Sequence, residues 1–520
     1  MSLSGNRSSA TIGRQNATKN IGIKTMFRVM DKDNNSFYEM TTPVYHSGLR
    51  NQVEGAGKLL ELLALLIWYY FLEWWSRKCE RESVPAASNQ SVAMSNNFSS
   101  RRRFLGTALA VGVASPFIIP RSVLAQNGQA GANDRIIVGF VGTGNRAKQL
   151  MSHIPKERAK IVAIADYWRQ KMVDAVNEKR NEGGFDNIDQ WKLYDSDLEM
   201  YDKEKLDCSF VITQDFTRTL AGCRAILAGV DVYAEKALTT YIAEGRTLVN
   251  CVRKSKQIFQ VGSQQRSMRL NRYGCALIRE GKLGKVNVVL ARNYDRPQPI
   301  PRDLPKHDIP EGLNWDAWQG PTEYREFNRD LLGWMRWQEY NGGDMTNWGA
   351  HGVDQIQWAM DADSSGPVEL YPLPKGEGKD GKVGVKYANG VEVRFELDPG
   401  PAGGAVFRCE KGNLEINRNI LRANPQELIA DAPEPDPPEG PTWSAASHIN
   451  NFFDCMASRE LPAADVEVGH RSVTFCHLVN ICRRLNRQLR WDPVAEQFHA
   501  DDEANKLVDL PRRKGYELPG

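Results

Sequence analysis

A short apolar run, Arg135-Ile136-Ile137-Val138-Gly139-Phe140-Val141, opens directly into Gly142-Thr143-Gly144-Asn145-Arg146-Ala147. A buried strand that ends in G-x-G-x-x-A leaves few folds open. The first glycine permits a tight turn, the second lets backbone approach a pyrophosphate, and the small third residue lets a helix pack on the strand. The phosphates then meet the free N–H groups and positive dipole end of that helix. Alone the motif is a weak signal, and its context strengthens it. Lys160–Ala165 reads as a second apolar strand and ends at Asp166, 22 residues beyond Gly144. A carboxylate there holds a ribose 2′-hydroxyl and repels a 2′-phosphate. Gly142, Thr143, Gly144, Asn145, Arg146 and Asp166 therefore form a predicted dinucleotide site with NAD as its cofactor, and Arg169 nearby leaves NADP open.

The alternation continues. Asp207–Thr213, Val230–Ala234 and Ile258–Gly262 read as further strands, and Leu220–Leu227 as a helix with Gly229 as its stop. Such alternation predicts a doubly wound parallel sheet, a Rossmann domain over residues 134–263. From Gly284 the signals change. Val286–Ala291 reads as a strand and Arg296–Pro310, rich in proline, as a loop. Val383–Leu397 alternates apolar and polar residues around Asn389-Gly390, a hairpin signal, and a second hairpin is expected across Glu410–Asn413. Asp431–Pro441 reads as an acidic surface loop, followed by helices near Ala445–Met456 and Val466–Leu485. Residues 264–490 are thus predicted to form an α/β domain with a largely antiparallel open sheet, and 491–520 a C-terminal tail.

Composition narrows the function. The 520 residues suffice for about two or three domains. With 67 basic and 64 acidic residues the net charge is only +3, and no basic cluster with interleaved aromatics stands outside the short run Arg101-Arg102-Arg103. Nucleic-acid binding is therefore not expected. Nine cysteines without a C-x-x-C pair give neither a disulfide framework nor a metal site. Cys208, Cys223, Cys251 and Cys476 read as small core side chains.

Ser100–Gly106 has the form of a twin-arginine export signal, followed by apolar Thr107–Pro120 and by Val123-Leu124-Ala125. Residues 94–125, beginning at Met94, are read as the signal peptide of a protein exported to the periplasm. Residues 1–93 are read as a spurious or disordered extension. Leu59–Trp75 is the rival, a membrane anchor. Glu61 and Glu73 leave it roughly 11 unbroken apolar residues against the ~20 a bilayer needs, so stable insertion is not expected.

Five marks together carry a family resemblance: the G-x-G-x-x-A turn, Thr213-Gln214-Asp215, Glu235-Lys236-Ala237-Leu238, Val261-Gly262-Ser263-Gln264-Gln265-Arg266, and the block from Gly342-Gly343 through His351 to Asp354. From about Arg135 onward the chain resembles the Gfo/Idh/MocA family of glucose–fructose oxidoreductase and inositol dehydrogenase, above all its exported bacterial branch. The resemblance implies that Thr213, Glu235, Lys236 and Gln264 also line the cofactor site. It further implies that Lys236 polarises a substrate oxygen and that His351 moves the hydroxyl proton. Two positions depart from the family pattern. Ala237 stands where proline is usual, and Asn347 stands where an aspartate precedes the histidine by four residues. An asparagine can orient a neighbour but cannot ionise. Asp354, about one helical turn beyond His351, is the expected electrostatic substitute.

Arg266, Tyr294 and Trp348 are the candidate substrate-binding residues, Trp348 within an aromatic-rich stretch from Trp315 to Trp358 whose rings suit either a sugar face or a core. His448, His470 and His477 read as structural. The expected activity is NAD(P)-dependent oxidation of a secondary alcohol on a sugar, polyol or sugar derivative. The expected partner is that small molecule, in a homo-oligomeric protein. Two other readings stand beside it: a glycoside hydrolase that oxidises its substrate transiently, and a non-catalytic sugar- or cofactor-binding relative, which Asn347 and Ala237 favour.

Overall fold

The computed structural model describes residues 25–31, 36–42, 135–374, 381–436 and 445–519. The twin-arginine run, Met94, the Leu59–Trp75 stretch and the end of the acidic loop at Pro441 lie outside the described residues. The chain divides into two compact units, Met1–Ser115 and Pro116–Gly520. In the first, β1 (Thr25–Asp31) and β2 (Ser36–Thr42) form an antiparallel ladder. No helix among the described residues is long and apolar enough to cross a membrane.

The second unit begins with the strand–turn–helix. Strand β3 (Ile136–Val141) runs into α1 (Asn145–His153), then β4 (Ala159–Ala165), α2 (Arg169–Glu182), β5 (Lys192–Tyr194) and α3 (Asp197–Lys203). Next come β6 (Cys208–Val211), α4 (Asp215–Leu227), β7 (Asp231–Ala234), α5 (Ile242–Ser255) and β8 (Phe259–Val261). The six strands pair in parallel in the order β5-β4-β3-β6-β7-β8. Helices cover both faces, so β6 and β7 are buried at every residue, Ser209 and Asp231 included. The winding reverses between β3 and β6. A crevice opens there, at the carboxyl ends of the strands.

The second sheet is built from β9 (Val286–Arg292), β10 (Glu369–Pro372), β11 (Val383–Lys386), β12 (Glu392–Leu397), β13 (Ala405–Cys409), β14 (Gly412–Asn417), β15 (Ile420–Asn424), β16 (Leu489–Asp492) and β17 (Gln497–Phe498). Both expected hairpins are present, and every pairing but the parallel β9–β12 is antiparallel. Strands β12 and β13 bury alternate residues, so one face of the sheet there is apolar. Helices α8 (Asp344–Ala359) and α10 (Val466–Leu485) cover that face. Val353 and Ile356 of α8 and Phe475 and Val479 of α10 meet Val289, Phe395 and Phe407 of the sheet. Between β8 and β9 lies α6 (Arg269–Arg279), and α7 (Trp315–Gln319) lies between β9 and α8.

Helix α9 (Ala446–Ser458) packs away from this sheet. Its Ile449, Phe452 and Phe453 pack with Val138, Phe140 and Phe210 of the first. Trp491 and Phe498, near the C-terminus, are buried in the second core. All eight cysteines among the described residues are free and buried.

Candidate active site

Two glycines shape the crevice. Gly142 has φ +90°, and a Cβ there would lie 2.5 Å from the Ile212 carbonyl oxygen, so no other residue fits the turn after β3. Gly343, at φ +71°, caps α8 so closely that a Cβ would stand 2.5 Å from the nitrogen of Pro297. The first turns the chain into α1. The second aims α8 at the same place.

Asp166 braces the glycine turn. Its Oδ2 accepts hydrogen bonds from the Thr143 backbone N–H (2.8 Å) and hydroxyl (2.7 Å), and its Oδ1 from the Trp168 N–H at 3.0 Å. Burial raises its pKa against the pull of these bonds. A carboxylate offers about four acceptor positions, so one remains for a ligand.

Helix α1 has no side-chain cap, and a Cβ built at Gly144 would meet nothing within 4 Å. Its first N–H groups therefore face open space, the arrangement an anionic phosphate requires. These residues fit a dinucleotide.

At the end of β7, Glu235 is buried between three donors. Its Oε1 accepts from Arg146 Nε (2.8 Å) and Gln264 Nε2 (3.2 Å), and its Oε2 from the Lys236 N–H (3.1 Å). Burial alone would raise its pKa, but the charges of Arg146 and Lys236 outweigh it and hold the carboxyl low. The Lys236–Ala237 peptide is cis. The Lys236 ammonium reaches across the crevice to α8, donating to Asn347 Oδ1 at 2.7 Å and to the Asn347 carbonyl at 3.2 Å. An ammonium has three donors, so one is left for a substrate. Burial pushes the Lys236 pKa down, and Glu235 and Asp215 partly restore it.

His351 follows Asn347 by four residues on α8 and faces the same cavity. Burial first, then the charges of Lys236, Arg418 and Arg146, hold its imidazole well below the usual histidine range. Among the described residues its ring makes no hydrogen bond. Asn347 orients Lys236, not the histidine.

One cavity of about 570 Å³ joins these parts. It is lined by Gly142, Thr143, Gly144, Asn145, Arg146, Asp166, Thr213, Glu235, Lys236, Gln264, Asn347, Trp348 and His351. Three expected site residues lie elsewhere. Arg266 is buried with its Nε 3.0 Å from both Asp354 oxygens and its terminal nitrogens on Asp363 at 2.7 and 2.8 Å. Asp354 also accepts from Ser472 Oγ at 2.9 Å. It lies two helical turns beyond Asn347, roughly 10 Å along the axis, and so drops into the second domain. The Tyr294 hydroxyl donates to the Ala402 carbonyl at 2.7 Å, and its ring is buried.

The cavity also includes Asp215, Arg218, Asn341 and Arg418, which the sequence reading did not place in the site. Asp215 receives Arg218 at 2.7 Å and the Asn341 amide at 2.5 Å. Asn341 Oδ1 in turn accepts from the Gly343 N–H at 2.6 Å. This chain of bonds ties the start of α8 to α4. Arg418, on the β14–β15 turn, donates to Gln264 Oε1 at 2.9 Å and lies over the Trp348 ring.

Comparison with known families agrees with this architecture. Residues 136–263 match the model described as "Oxidoreductase family, NAD-binding Rossmann fold". Residues 300–518 match "Oxidoreductase family, C-terminal alpha/beta domain", and the two together span about two thirds of the chain. Among solved structures, the chain is similar to the WlbA dehydrogenase from Bordetella pertussis in complex with NADH and UDP-GlcNAcA. Identity is 18%, coverage 69% of this chain and 99% of that one, and the TM-score 0.48. The aldose-aldose oxidoreductase from Caulobacter crescentus complexed with glycerol gives 15%, 68%, 99% and 0.49. The myo-inositol 2-dehydrogenase from Lactobacillus plantarum gives 15%, 68%, 99% and 0.48.

The position of Asp166 makes a test of cofactor choice. Asp166→Ala is expected to weaken NAD binding about 10- to 100-fold, the worth of one or two hydrogen bonds to a charged group, and NADP binding much less. Titration calorimetry with both nucleotides checks this. Equal weakening of the two would make Asp166 only a brace for the turn.

Proposed function

We infer the reaction from one premise: the chain belongs to the Gfo/Idh/MocA oxidoreductase family and carries its NAD-binding Rossmann domain. It oxidises a secondary alcohol of a sugar, polyol or sugar derivative. The observation that carries this reading is the Lys236 ammonium, held by Asn347 across the crevice and sharing one cavity with His351 and the glycine turn. NAD, when bound, supplies the hydride acceptor, and the residues that would hold it are the glycine turn, the first turn of α1 and Asp166.

The third Lys236 donor hydrogen-bonds the substrate oxygen and stabilises the negative charge that grows there. The imidazole of His351 is neutral at pH 7, because its pKa lies well below the usual range, and so can accept the hydroxyl proton. Arg146 and Gln264 fix Glu235, and Glu235 fixes the backbone of Lys236. Trp318 and Trp334 add aromatic surface to the cavity wall.

A second reading, transient oxidation that cleaves a glycoside, is favoured by Trp348 and Met335. Both line the cavity, yet they stay 40% and 53% exposed, apolar surface beyond the reacting centre that a leaving group can cover. The test is one experiment. The purified protein is denatured, the released nucleotide is identified, and sugars and aryl glycosides are screened for turnover. A keto-sugar product with a reduced cofactor supports oxidation, and a freed aglycone without net reduction supports cleavage. If no nucleotide is released and none binds when added, both readings fail. We further propose that the protein is exported. The Arg101-Arg102-Arg103 run supports this, and fractionation of cells carrying Arg102→Lys/Arg103→Lys tests it.

A further inference from the structure

A second cavity, of about 600 Å³, shares Asn341 with the first. Arg296, from the proline-rich loop, and Arg484, from the last turn of α10, line it together with Tyr241, Asn480 and Thr240. No carboxylate does. Among the described residues neither arginine forms an ion pair. Elsewhere Arg246 is shared by Glu467 and Glu496, and Arg487 by Asp501 and Glu503. Thr240 Oγ1 is buried in the same wall with no hydrogen-bond partner. Two guanidinium groups with no carboxylate in the lining present forked donors that match an oxyanion. The remaining lining includes the apolar Pro297, Ile481 and Leu507.

We propose that this cavity is a second ligand site, taking a small organic anion whose carboxylate or phosphate group is gripped by Arg296 and Arg484. Its wall is also the support of the catalytic helix. Asn480 Nδ2 donates to the Gly342 carbonyl at 2.8 Å, and Asn341 Oδ1 accepts from the Gly343 N–H that caps α8. An anion bound there rests against the segment that starts the helix carrying Asn347 and His351. The inference does not depend on which reaction the first cavity performs.

Calorimetric titration of the full chain, saturated with NAD, tests it with inorganic phosphate and sodium gluconate as separate probes. One equivalent of at least one probe is expected to bind. Arg296→Gln/Arg484→Gln is expected to weaken that binding about tenfold or more, while NAD affinity and thermal midpoint stay unchanged. Both arginines reach solvent, so the double variant folds. Lys236→Met, which alters only the first cavity, leaves anion binding intact. The probe that binds identifies the group as phosphate or carboxylate. The proposal is overturned if the double variant binds as well as the parent, if Lys236→Met abolishes binding, or if neither probe binds.

Discussion

Replacing Lys236 by methionine is expected to lower kcat roughly 10²- to 10³-fold, the effect of removing one preorganised donor from a developing oxyanion, while NAD affinity changes little. Methionine keeps the unbranched stem and its packing, so the loss isolates the ammonium. That side chain is half-buried, and its two bonds to Asn347 fix where the third donor points. Asn347→Asp tests the electrostatics of the same pair. Burial lowers the Lys236 pKa from its ordinary value, so the ammonium loses its proton at a lower pH than a free lysine. A carboxylate at Asn347 Oδ1 would favour the charged form. The alkaline limb of the pH–rate profile is therefore expected to move upward by about one unit or more. A Lys236→Met enzyme that keeps more than a tenth of its kcat would remove the lysine from the chemistry.

Much of this site could be read from local spacing. A strand, a glycine turn, a helix and a second strand ending in an acid are neighbours in sequence, and their geometry follows from that order. Gly142, Gly144 and Asp166 sit as expected because only backbone conformation and strand length place them. The two hairpins were legible for the same reason, since Asn389-Gly390 and the turn at Gly412 are local signals.

What escaped was set by distant packing. Strand β5, three residues at the sheet edge, carries too short a pattern to register. Helix α4 starts at Asp215, five residues before its apolar run, because Asp215 and Arg218 are buried as a pair in its first turn. Arg418 enters the cavity from a hairpin turn far along the chain, and nothing in its neighbours marks it. Asp354 and Arg266 looked like site residues because each stands near one. The structure pairs them with each other instead, one buried charge answering another. Asn347 was read as a helper of His351, yet its amide faces Lys236. Helical spacing gave the face but not the partner.

Acid lability is the second large effect, and it follows from histidines the chemistry does not use. His448 is buried with its Nε2 2.9 Å from the Val261 carbonyl and its Nδ1 2.7 Å from Ser267 Oγ. Burial, with Arg266 and Arg146 nearby and Glu235 opposing, pushes its pKa down to about 4. His477, its Nε2 3.1 Å from the Thr239 carbonyl, is also pushed down to about 4 by burial, with His470 adding to the shift. In the unfolded chain both would titrate near 6.5. The folded state keeps them neutral, so stability is full above pH 6.5 and is lost as pH falls from 6.5 toward 4. At about 1.36 kcal/mol per unit, each histidine withdraws about 2.5 kcal/mol by pH 4.5 relative to pH 7.5, and the two together about 5 kcal/mol. That is comparable with the whole stability of many domains. His351 and His470, shifted down by burial as well, add to the loss. Glu496, held down at about 2 against its burial by His470 and Arg246, adds its own loss only below its unfolded value near 4.5. The urea midpoint is therefore expected to collapse between pH 7.5 and 4.5. His448→Gln and His477→Gln, each less stable at pH 7.5, should lose less over the same interval. A midpoint that stays flat across it would show that these imidazoles are protonated, or hydrated, inside the fold.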